Sequence, residues 1–329
     1  MMGLDGTFSR RNEMPEEKWQ APEEIPLPPE ELKKRILELK ERRRAVILVH
    51  NYQRPEVQDI ADFTGDSLGL AQKAAQTDAE VIVFCGVHFM AETASILNPD
   101  KVVLLPDLEA GCPMADMADA ASVLEFRREH PRAAVVAYVN TTAEVKAVSD
   151  YCCTSSNAVK VVRAVQEEEI IFLPDRNLAR YVASQLEGKR IIPWDGYCPV
   201  HQEITAEQVR EALRAHPGAE VIAHPECTRE VIELAHHVRS TSGMVEAARN
   251  SPAREFVVAT EEGMLYPLSR ALPDKAFHKP VGEHICPNMK LITLSKVLRS
   301  LETLEPRVEV PRETRERALT AVERMLRLA

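Results

Sequence analysis

The stretch AVILVHNYQ at residues 45–53 runs from five apolar residues into a polar ending, and the chain repeats this change twice. The later copies are VVAYVNTT at residues 135–142 and VIAHPEC at residues 221–227. The first polar residue of each copy recurs at intervals of 88 and 86 residues: His50, Tyr138 and His224. A second set stands two residues further on: Tyr52, Asn140 and Glu226. The equal spacing of the two sets indicates an internal repeat.

Two further positions keep the same spacing. A hydroxyl residue in a loop of small residues lies 17 residues after the first set: Ser67, Ser155 and Thr241. A cysteine followed by proline lies 62, 60 and 62 residues after the first set: Cys112, Cys198 and Cys286. Four positions in register predict one α/β unit of about 87 residues that the chain uses three times.

Short β-branched runs alternate with helical stretches, which is typical of parallel strands buried between helices. The predicted strands are Ala45–Val49, Val81–Cys85, Val102–Leu105, Ala133–Val139, Ile170–Leu173, Arg190–Pro193, Glu220–Ala223 and Phe256–Ala259. We predict an irregular leader over residues 1–28 and repeat units over residues 29–115, 116–201 and 202–294. A C-terminal helix over residues 295–329 is expected to pack on the first unit.

Composition argues against several classes of protein. The chain has 329 residues and a net charge of −10, which argues against nucleic acid or an anionic membrane as its main partner. Its apolar runs fall far short of the roughly 18 residues of a membrane span, and its polar N-terminus does not resemble a signal peptide. We therefore expect a cytoplasmic protein with reduced cysteines.

None of the seven cysteines forms a CxxC pair, which argues against zinc ribbons and ferredoxin-type cluster loops.

The cysteines that precede proline are predicted to meet in space. Polar residues at the carboxyl ends of parallel strands face a ligand crevice. Three equivalent units around a pseudo-threefold axis would therefore direct Cys112, Cys198 and Cys286 into one cavity. Three thiolates favour an iron–sulfur cluster with one open iron that acts as a Lewis acid. Zinc with three cysteines and His201 or water is an alternative, and so is simple packing. The other cysteines are interpreted as packing residues: Cys85, Cys152, Cys153 and Cys227.

The remaining repeated positions suit an anionic substrate and proton transfer. Ser67, Ser155 and Thr241 each precede a helical pattern, whose free N–H groups favour phosphate or carboxylate. Helix capping by these hydroxyls is the alternative. The candidate hydrogen-bonding and acid–base residues are His50, Tyr52, Tyr138, Asn140, His201, His224 and Glu226. His201 belongs to the set because it lies three residues after Cys198.

A series of motifs occurs in order along the chain: VHNYQ, GDSLGLA, CGVHFMAETA, GCPMADM, YVNTTAEVKA, CTSSNA, WDGYCPVH, HPEC, STSGM, EEGM and CPNMK. Together they resemble the quinolinate synthase family over about residues 29–296. The resemblance implies three similar three-layer α/β/α sandwich domains around a pseudo-threefold axis, and a [4Fe-4S] cluster on Cys112, Cys198 and Cys286. Some members carry a CxxCxxC segment near the third ligand, where this chain has only Cys286. A redox disulfide switch is therefore not expected here.

The same resemblance implies a reaction and the residues that carry it. Iminoaspartate condenses with dihydroxyacetone phosphate to give quinolinate, with loss of phosphate and two waters, and L-aspartate oxidase is the upstream partner. Glu226 and Tyr138 are expected to serve acid–base steps, and His50 and His224 to hold or protonate the triose-derived part. The other pocket residues implied are Tyr52, Asn140, His201, Ser67, Ser155 and Thr241, the three hydroxyls as binders of phosphate or carboxylate.

Two other classes of function remain open at this point. One is a metal-containing sensor or binding module whose pocket recognises a dicarboxylate. The other is a metal-free sugar-phosphate isomerase that keeps its cysteines in the core. A sensor needs only metal ligands and an anion site, so the histidines, tyrosines and glutamate at equivalent strand ends favour an enzyme.

Overall fold

The computed structural model describes residues 24–328 and contains three four-stranded sheets with parallel strands. The first sheet consists of β1 (Ala45–His50), β2 (Phe63–Gly65), β3 (Val81–Cys85) and β4 (Val102–Leu104). The second consists of β5 (Ala134–Tyr138), β6 (Tyr151–Cys153), β7 (Glu169–Leu173) and β8 (Arg190–Pro193). The third consists of β9 (Glu220–Ala223), β10 (His237–Val238), β11 (Glu255–Ala259) and β12 (Ala276–His278).

The strands follow one order in all three sheets: β2-β1-β3-β4, β6-β5-β7-β8 and β10-β9-β11-β12. The strand that carries the repeated polar ending therefore lies inside its sheet, between the second and third strands. The predicted fold class, α/β with three similar domains, is confirmed, and the pseudo-threefold axis relating them stays a prediction. The bounds between the units, after residues 115, 201 and 294, stay a prediction.

The helices recur in the same way. Those around the first sheet are α1 (Pro29–Arg42), α2 (Pro55–Gln58), α3 (Ser67–Gln76) and α4 (His88–Leu97). Those around the second are α5 (Ala120–Glu129), α6 (Ala143–Ala147), α7 (Ala158–Ala164) and α8 (Arg176–Ser184). Next come α9 (Pro199–Glu203), α10 (Ala206–Ala215), α11 (Arg229–Ile232), α12 (Thr241–Asn250) and α13 (Leu265–Ala271). The chain continues with α14 (Leu294–Thr303) and α15 (Arg312–Arg327), and short 3₁₀ helices lie at Ala115–Met117, Glu262–Met264 and Asn288–Leu291.

Local sequence explains where these elements form and begin. The inner strands β1, β5 and β11 are apolar on both faces and are largely buried, as parallel strands between helices should be. Asp66, Asp175 and Ser240 accept backbone N–H groups at the starts of α3, α8 and α12. A reciprocal capping box between Thr205 and Gln208 starts α10.

The C-terminal segment differs from the single helix expected over residues 295–329. It forms two helices, because Leu304 adopts the left-handed conformation (φ 58°) after α14, and Pro306 and Pro311 precede α15. The first of them, α14, packs on α1 and β3. The second, α15, packs chiefly on α6 and β6 of the second sheet and also on α4. The segment therefore connects the first two sheets.

The leader predicted for residues 1–28 lies outside the described residues as far as residue 23, and residues 24–28 form neither helix nor strand. The backbone N–H of Ile25 donates to Oγ of Ser295 at 3.1 Å, so this short described part runs along the start of α14. Within residues 24–328, no helix is both long enough and apolar enough to cross a membrane.

Candidate active site

A cavity lies at the carboxyl ends of β1, β5 and β9. The residues singled out in the sequence all line it: His50, Tyr52, Ser67, Cys112, Tyr138, Asn140, Ser155, Cys198, His201, His224, Glu226, Thr241 and Cys286. The space open to the centres of water-sized molecules is about 70 Å³, and one buried water needs about 10–15 Å³. The structure thus brings residues from three sheets around one narrow cavity, while their individual roles stay predictions.

Glu226 is the centre of the polar network in this cavity. The hydroxyl of Tyr138 donates to its Oε1 at 2.6 Å, and Nδ1 of His201 lies 2.8 Å from its Oε2. The ring of His224 stacks on that of His201, with centroids 4.7 Å apart. Burial opposes ionisation of Glu226, but His224, His201 and the hydrogen bonds outweigh burial and lower the pKa of this carboxyl. The lowered pKa favours the carboxylate form of Glu226.

The two cavity tyrosines remain protonated. Burial, and then the charge of Glu226, raise the pKa of Tyr138 and of Tyr52 well above the ordinary value. The hydroxyl of Tyr52 lies 2.5 Å from Oγ1 of Thr260, which is also 2.8 Å from Nε2 of His201. Thr260 follows β11 and belongs to none of the four repeated sets, so sequence reasoning missed it.

His50 and His224 occupy equivalent positions and make the same local hydrogen bond. Nδ1 of His50 accepts the N–H of Tyr52 at 3.1 Å, and Nδ1 of His224 accepts the N–H of Glu226 at 3.4 Å. Burial is the main reason that the pKa of each histidine falls to about 3. Both rings are therefore neutral at pH 7, and since Nδ1 accepts, the hydrogen is on Nε2. Each ring keeps one N–H donor for a ligand.

The hydroxyl residues lie at helix starts, yet two of them are not the capping groups. Ser67 is the first residue of α3 and Thr241 the first of α12, whereas the caps are the preceding residues Asp66 and Ser240. Oγ of Ser240 also donates to Oδ2 of Asp66 at 3.0 Å, which holds the two helix starts together. Ser155 lies three residues ahead of α7. Capping therefore does not account for the hydroxyls of Ser67 and Thr241.

Asn140 carries the clearest sign of a ligand-binding role. Its Oδ1 atom is buried, and no donor within residues 24–328 reaches it. Buried polar atoms are nearly always hydrogen-bonded in native proteins. Because Asn140 lines the cavity, we interpret this unpaired acceptor as a position for an N–H or O–H group of a ligand.

The cysteines that line the cavity are spread around it. The Sγ atoms of Cys112, Cys198 and Cys286 do not all lie within 4.8 Å of one another. One zinc ion with bonds of about 2.3 Å would hold its sulfurs within roughly 4.6 Å, so the three thiols in this arrangement do not form a site for one zinc. Burial raises the pKa of Cys112 to about 12 and also raises the pKa of the other two thiols. Burial therefore favours the protonated form of these thiols.

A tighter group of potential ligands occupies one corner of the cavity. Ligand atoms of Cys198, His201 and Glu226 lie within 4.8 Å of one another, and Sγ of Cys198 is 3.1 Å from Nδ1 of His201. This group differs from the zinc alternative based on sequence, which used three cysteines with His201 or water, because Glu226 takes the place of Cys112 and Cys286.

Two buried carboxylates hold the loops that carry two of these cysteines. The N–H of Cys198 donates to Oδ2 of Asp175 at 3.2 Å, and the N–H of Cys286 donates to Oε1 of Glu261 at 3.1 Å. Burial raises the pKa of both carboxyls, although Lys290 opposes it at Glu261. Each lies two residues after the third strand of its sheet, where the first sheet has Val87. A carboxylic acid residue thus occupies the same position in two of the three repeat units. Sequence reasoning missed this signal.

Comparison with known proteins decides the family. The family model described as Quinolinate synthetase A protein (NadA) matches residues 34–327. The chain belongs to this family. A quinolinate synthase 1 from Methanosarcina acetivorans is 54% identical over 296 residues, which are 90% of this chain and 97% of that relative. The quinolinate synthase of Desulforudis audaxviator is 55% identical over 300 residues, 91% of this chain and 99% of that relative.

A third relative, the quinolinate synthase of Thermodesulfovibrio yellowstonii, is 54% identical over 293 residues, 89% of this chain and 97% of the relative. The family match runs from α1 into α15, so the three sheets and the whole cavity fall within it. The resemblance to the quinolinate synthase family and the expectation of an enzyme are both confirmed.

Proposed function

We propose that this member of the quinolinate synthase family condenses iminoaspartate with dihydroxyacetone phosphate and releases quinolinate, phosphate and two waters. One observation carries the proposal: three cysteines, two neutral histidines and the Tyr138–Glu226 pair surround a single cavity. The family match and the identity to proteins named quinolinate synthase support it.

A [4Fe-4S] cluster is proposed on Cys112, Cys198 and Cys286. When bound, it would supply an open iron that acts as a Lewis acid toward substrate oxygen or nitrogen. The donor set supports this assignment, because three thiols line one cavity and thiolates are soft ligands that suit iron–sulfur clusters. Asp175 and Glu261 would hold the backbone of two ligand cysteines in place as metal binds.

Substrate binding is proposed to use the helix starts and the unpaired amide. Both substrates are anions, and the hydroxyls of Ser67 and Thr241, with the free N–H groups of α3 and α12, suit carboxylate and phosphate oxygens. Ser155 is proposed to add a third hydroxyl from the second sheet. Oδ1 of Asn140 would accept a substrate N–H or O–H.

Proton transfer is proposed to centre on Glu226 and Tyr138. Glu226 is ionised and can take a proton from substrate carbon or nitrogen, and the phenol 2.6 Å away can donate one to a departing oxygen. The Nε2–H groups of His50 and His224 are proposed to hold the triose-derived oxygens. His201, Tyr52 and Thr260 form a second chain of hydrogen-bonding atoms beside this pair.

The wider context is also proposed. L-aspartate oxidase is the expected supplier, because iminoaspartate is formed by oxidation of the amine of aspartate, and quinolinate would feed NAD biosynthesis. The seven cysteines are free in the structure, which supports a reducing compartment, and we place the enzyme in the cytoplasm.

Anaerobic purification followed by an assay tests the proposal. The protein loaded with iron and sulfide is expected to be brown and to form quinolinate from dihydroxyacetone phosphate and freshly generated iminoaspartate. A colourless, iron-free and fully active protein would contradict the cluster. A brown protein that binds a dicarboxylate but forms no product would contradict the reaction and favour a sensor.

A further inference from the structure

A group of side chains on the third sheet, outside the cavity, has the composition of a metal site. Nδ1 of His216 and Nε2 of His278 each lie 3.2 Å from Oε2 of Glu255. The three ligand atoms lie within 4.8 Å of one another, and the side chains are partly exposed. We propose that His216, Glu255 and His278 bind one zinc ion, with water as the fourth ligand.

The distances between the ligand atoms are close to those of a zinc tetrahedron. Zinc bonds to histidine nitrogen and carboxylate oxygen measure about 2.0–2.2 Å, so neighbouring ligand atoms lie roughly 3.3–3.6 Å apart. The two contacts of 3.2 Å to Glu255 approach this spacing. The imidazoles of His216 and His278 are stacked, with centroids 3.5 Å apart and an interplanar angle of 13°. Zinc binding would require these partly exposed rings to rotate so that both nitrogens face one ion.

The position of the group in the fold also favours a cation. His216 caps the carboxyl end of α10, which is the negative end of the helix dipole. Glu255 begins β11 and His278 ends β12, so an ion here would join a helix to two paired strands. The catalytic cavity lies past the opposite end of β11, where Glu261 lines it. The proposed zinc site is therefore separate from the reaction.

The second sheet offers an internal comparison. His130 and Glu169 stand 86 residues before His216 and Glu255, and His130 likewise caps the carboxyl end of its helix, α5. The residue 86 positions before His278 is Ile192, which cannot bind a metal. The earlier copy therefore has two of the three ligands.

The earlier copy also gives its carboxylate a different partner. Arg190 pairs with Glu169 at 2.7 Å, and the two residues are opposite each other on β8 and β7. The third sheet has Ala276 opposite Glu255, so no arginine from β12 occupies this carboxylate. The third copy of the repeat therefore has the third ligand, His278, and lacks the competing arginine.

Zinc binding to the cluster-loaded protein, kept anaerobic so that the cavity cysteines are occupied, tests this site. Zinc sulfate is titrated against a chromophoric chelator. The unaltered protein is expected to bind one zinc, and His278→Ala to lower the affinity at least about tenfold. His130→Ala is the matched control, since it removes the equivalent histidine from the copy without a third ligand, and it should leave the affinity unchanged.

X-ray absorption at the zinc edge identifies the ligands directly. Nitrogen and oxygen at about 2.0–2.2 Å, without sulfur near 2.3 Å, are expected. Sulfur in the coordination shell, or equal affinity in His278→Ala and the unaltered protein, would mean an adventitious ion only. Glu255→Gln is a second variant, since glutamine has nearly the same shape as glutamate but no charge, and it should also weaken zinc binding. If one variant folds poorly, the zinc affinity of the other can still be compared with that of the unaltered protein.

Discussion

The hydroxyl of Tyr138 donates to Oε1 of Glu226 from one sheet to another, at a distance of 2.6 Å. Tyr138 is the last residue of β5, and Glu226 lies three residues after β9. Neither sheet alone holds the pair, so its geometry depends on how the second and third sheets pack. The carboxylate can receive a proton and the phenol can donate one within a single hydrogen bond.

Tyr138→Phe removes the donor and keeps the aromatic ring in the cavity wall. We expect kcat for quinolinate formation to fall by about 10²-fold or more, the usual contribution of an acid–base group, with the visible absorption of the cluster unchanged. Steady-state assays of the cluster-loaded protein measure this. Tyr151→Phe is the control, because Tyr151 lies on β6 against Arg324. Equal losses in both variants would argue against proton transfer by Tyr138.

Cys198→Ser is expected to abolish the cluster with little change in fold, because it removes one of three proposed ligands that line the cavity. Iron and sulfide content, visible absorption and circular dichroism measure the two effects separately. Cys152→Ala is the matched control, since Cys152 is fully buried in β6 and does not contribute to the proposed ligand set. A full complement of iron in Cys198→Ser would refute the ligand assignment.

Asp175→Ala leaves the N–H groups of Cys198 and Leu178 without their acceptor. An unpaired buried donor costs about 1–3 kcal/mol, so we expect lower stability and faster loss of the cluster to a chelator. The half-life of the visible absorption measures that loss. Asp195→Ala is the control, because its side chain is 91% exposed and pairs with Arg176 on the surface. Similar half-lives in the two variants would show that Asp175 does not position the ligand.

His224 gives a pH dependence of folding with a definite sign. Its pKa falls from 6.5 to about 3 on burial, so between these values the unfolded chain binds a proton that the folded chain lacks. Stability is therefore lost as pH falls below 6.5, at up to about 1.4 kcal/mol per pH unit. His50 adds a loss of the same sign.

Anaerobic denaturant unfolding at about pH 7 and about pH 5.5 measures this loss. His224→Gln is expected to lose less stability between the two pH values than the unaltered protein, since it removes one titrating group. His130→Gln, at the partly exposed end of α5, should retain the full loss. An identical pH dependence in His224→Gln and the unaltered protein would contradict a neutral His224.

The sequence predicts the inner strands well because their composition alone marks them as buried. The four strands that it misses are β2, β6, β10 and β12, which have three residues or fewer and lie at sheet edges. Segments such as FTG at residues 63–65 are too short to show a period. Pairing with a neighbouring strand, rather than their own residues, makes them β structure.

The residues of the candidate site also fall into those that the sequence predicts and those that it misses. Residues repeated in all three copies, such as Cys112 and its equivalents, could be found from spacing alone. Asp175 and Glu261 occur in only two copies, and each acts on a backbone N–H more than 20 residues further along the chain. Thr260 is recognised only by its contacts with Tyr52 and His201. Such contacts depend on tertiary packing, which spacing does not encode.

The single strand order shared by the three sheets bears on how the cavity can discriminate between ligands. In a ring of three identical subunits, each substitution would appear three times, and the wall would stay symmetric. In one continuous chain each copy varies alone, so Tyr138 stands where the other copies have His50 and His224. Covalent linkage thus frees a threefold scaffold to place a different side chain on each wall, and so to hold an asymmetric ligand in one defined direction.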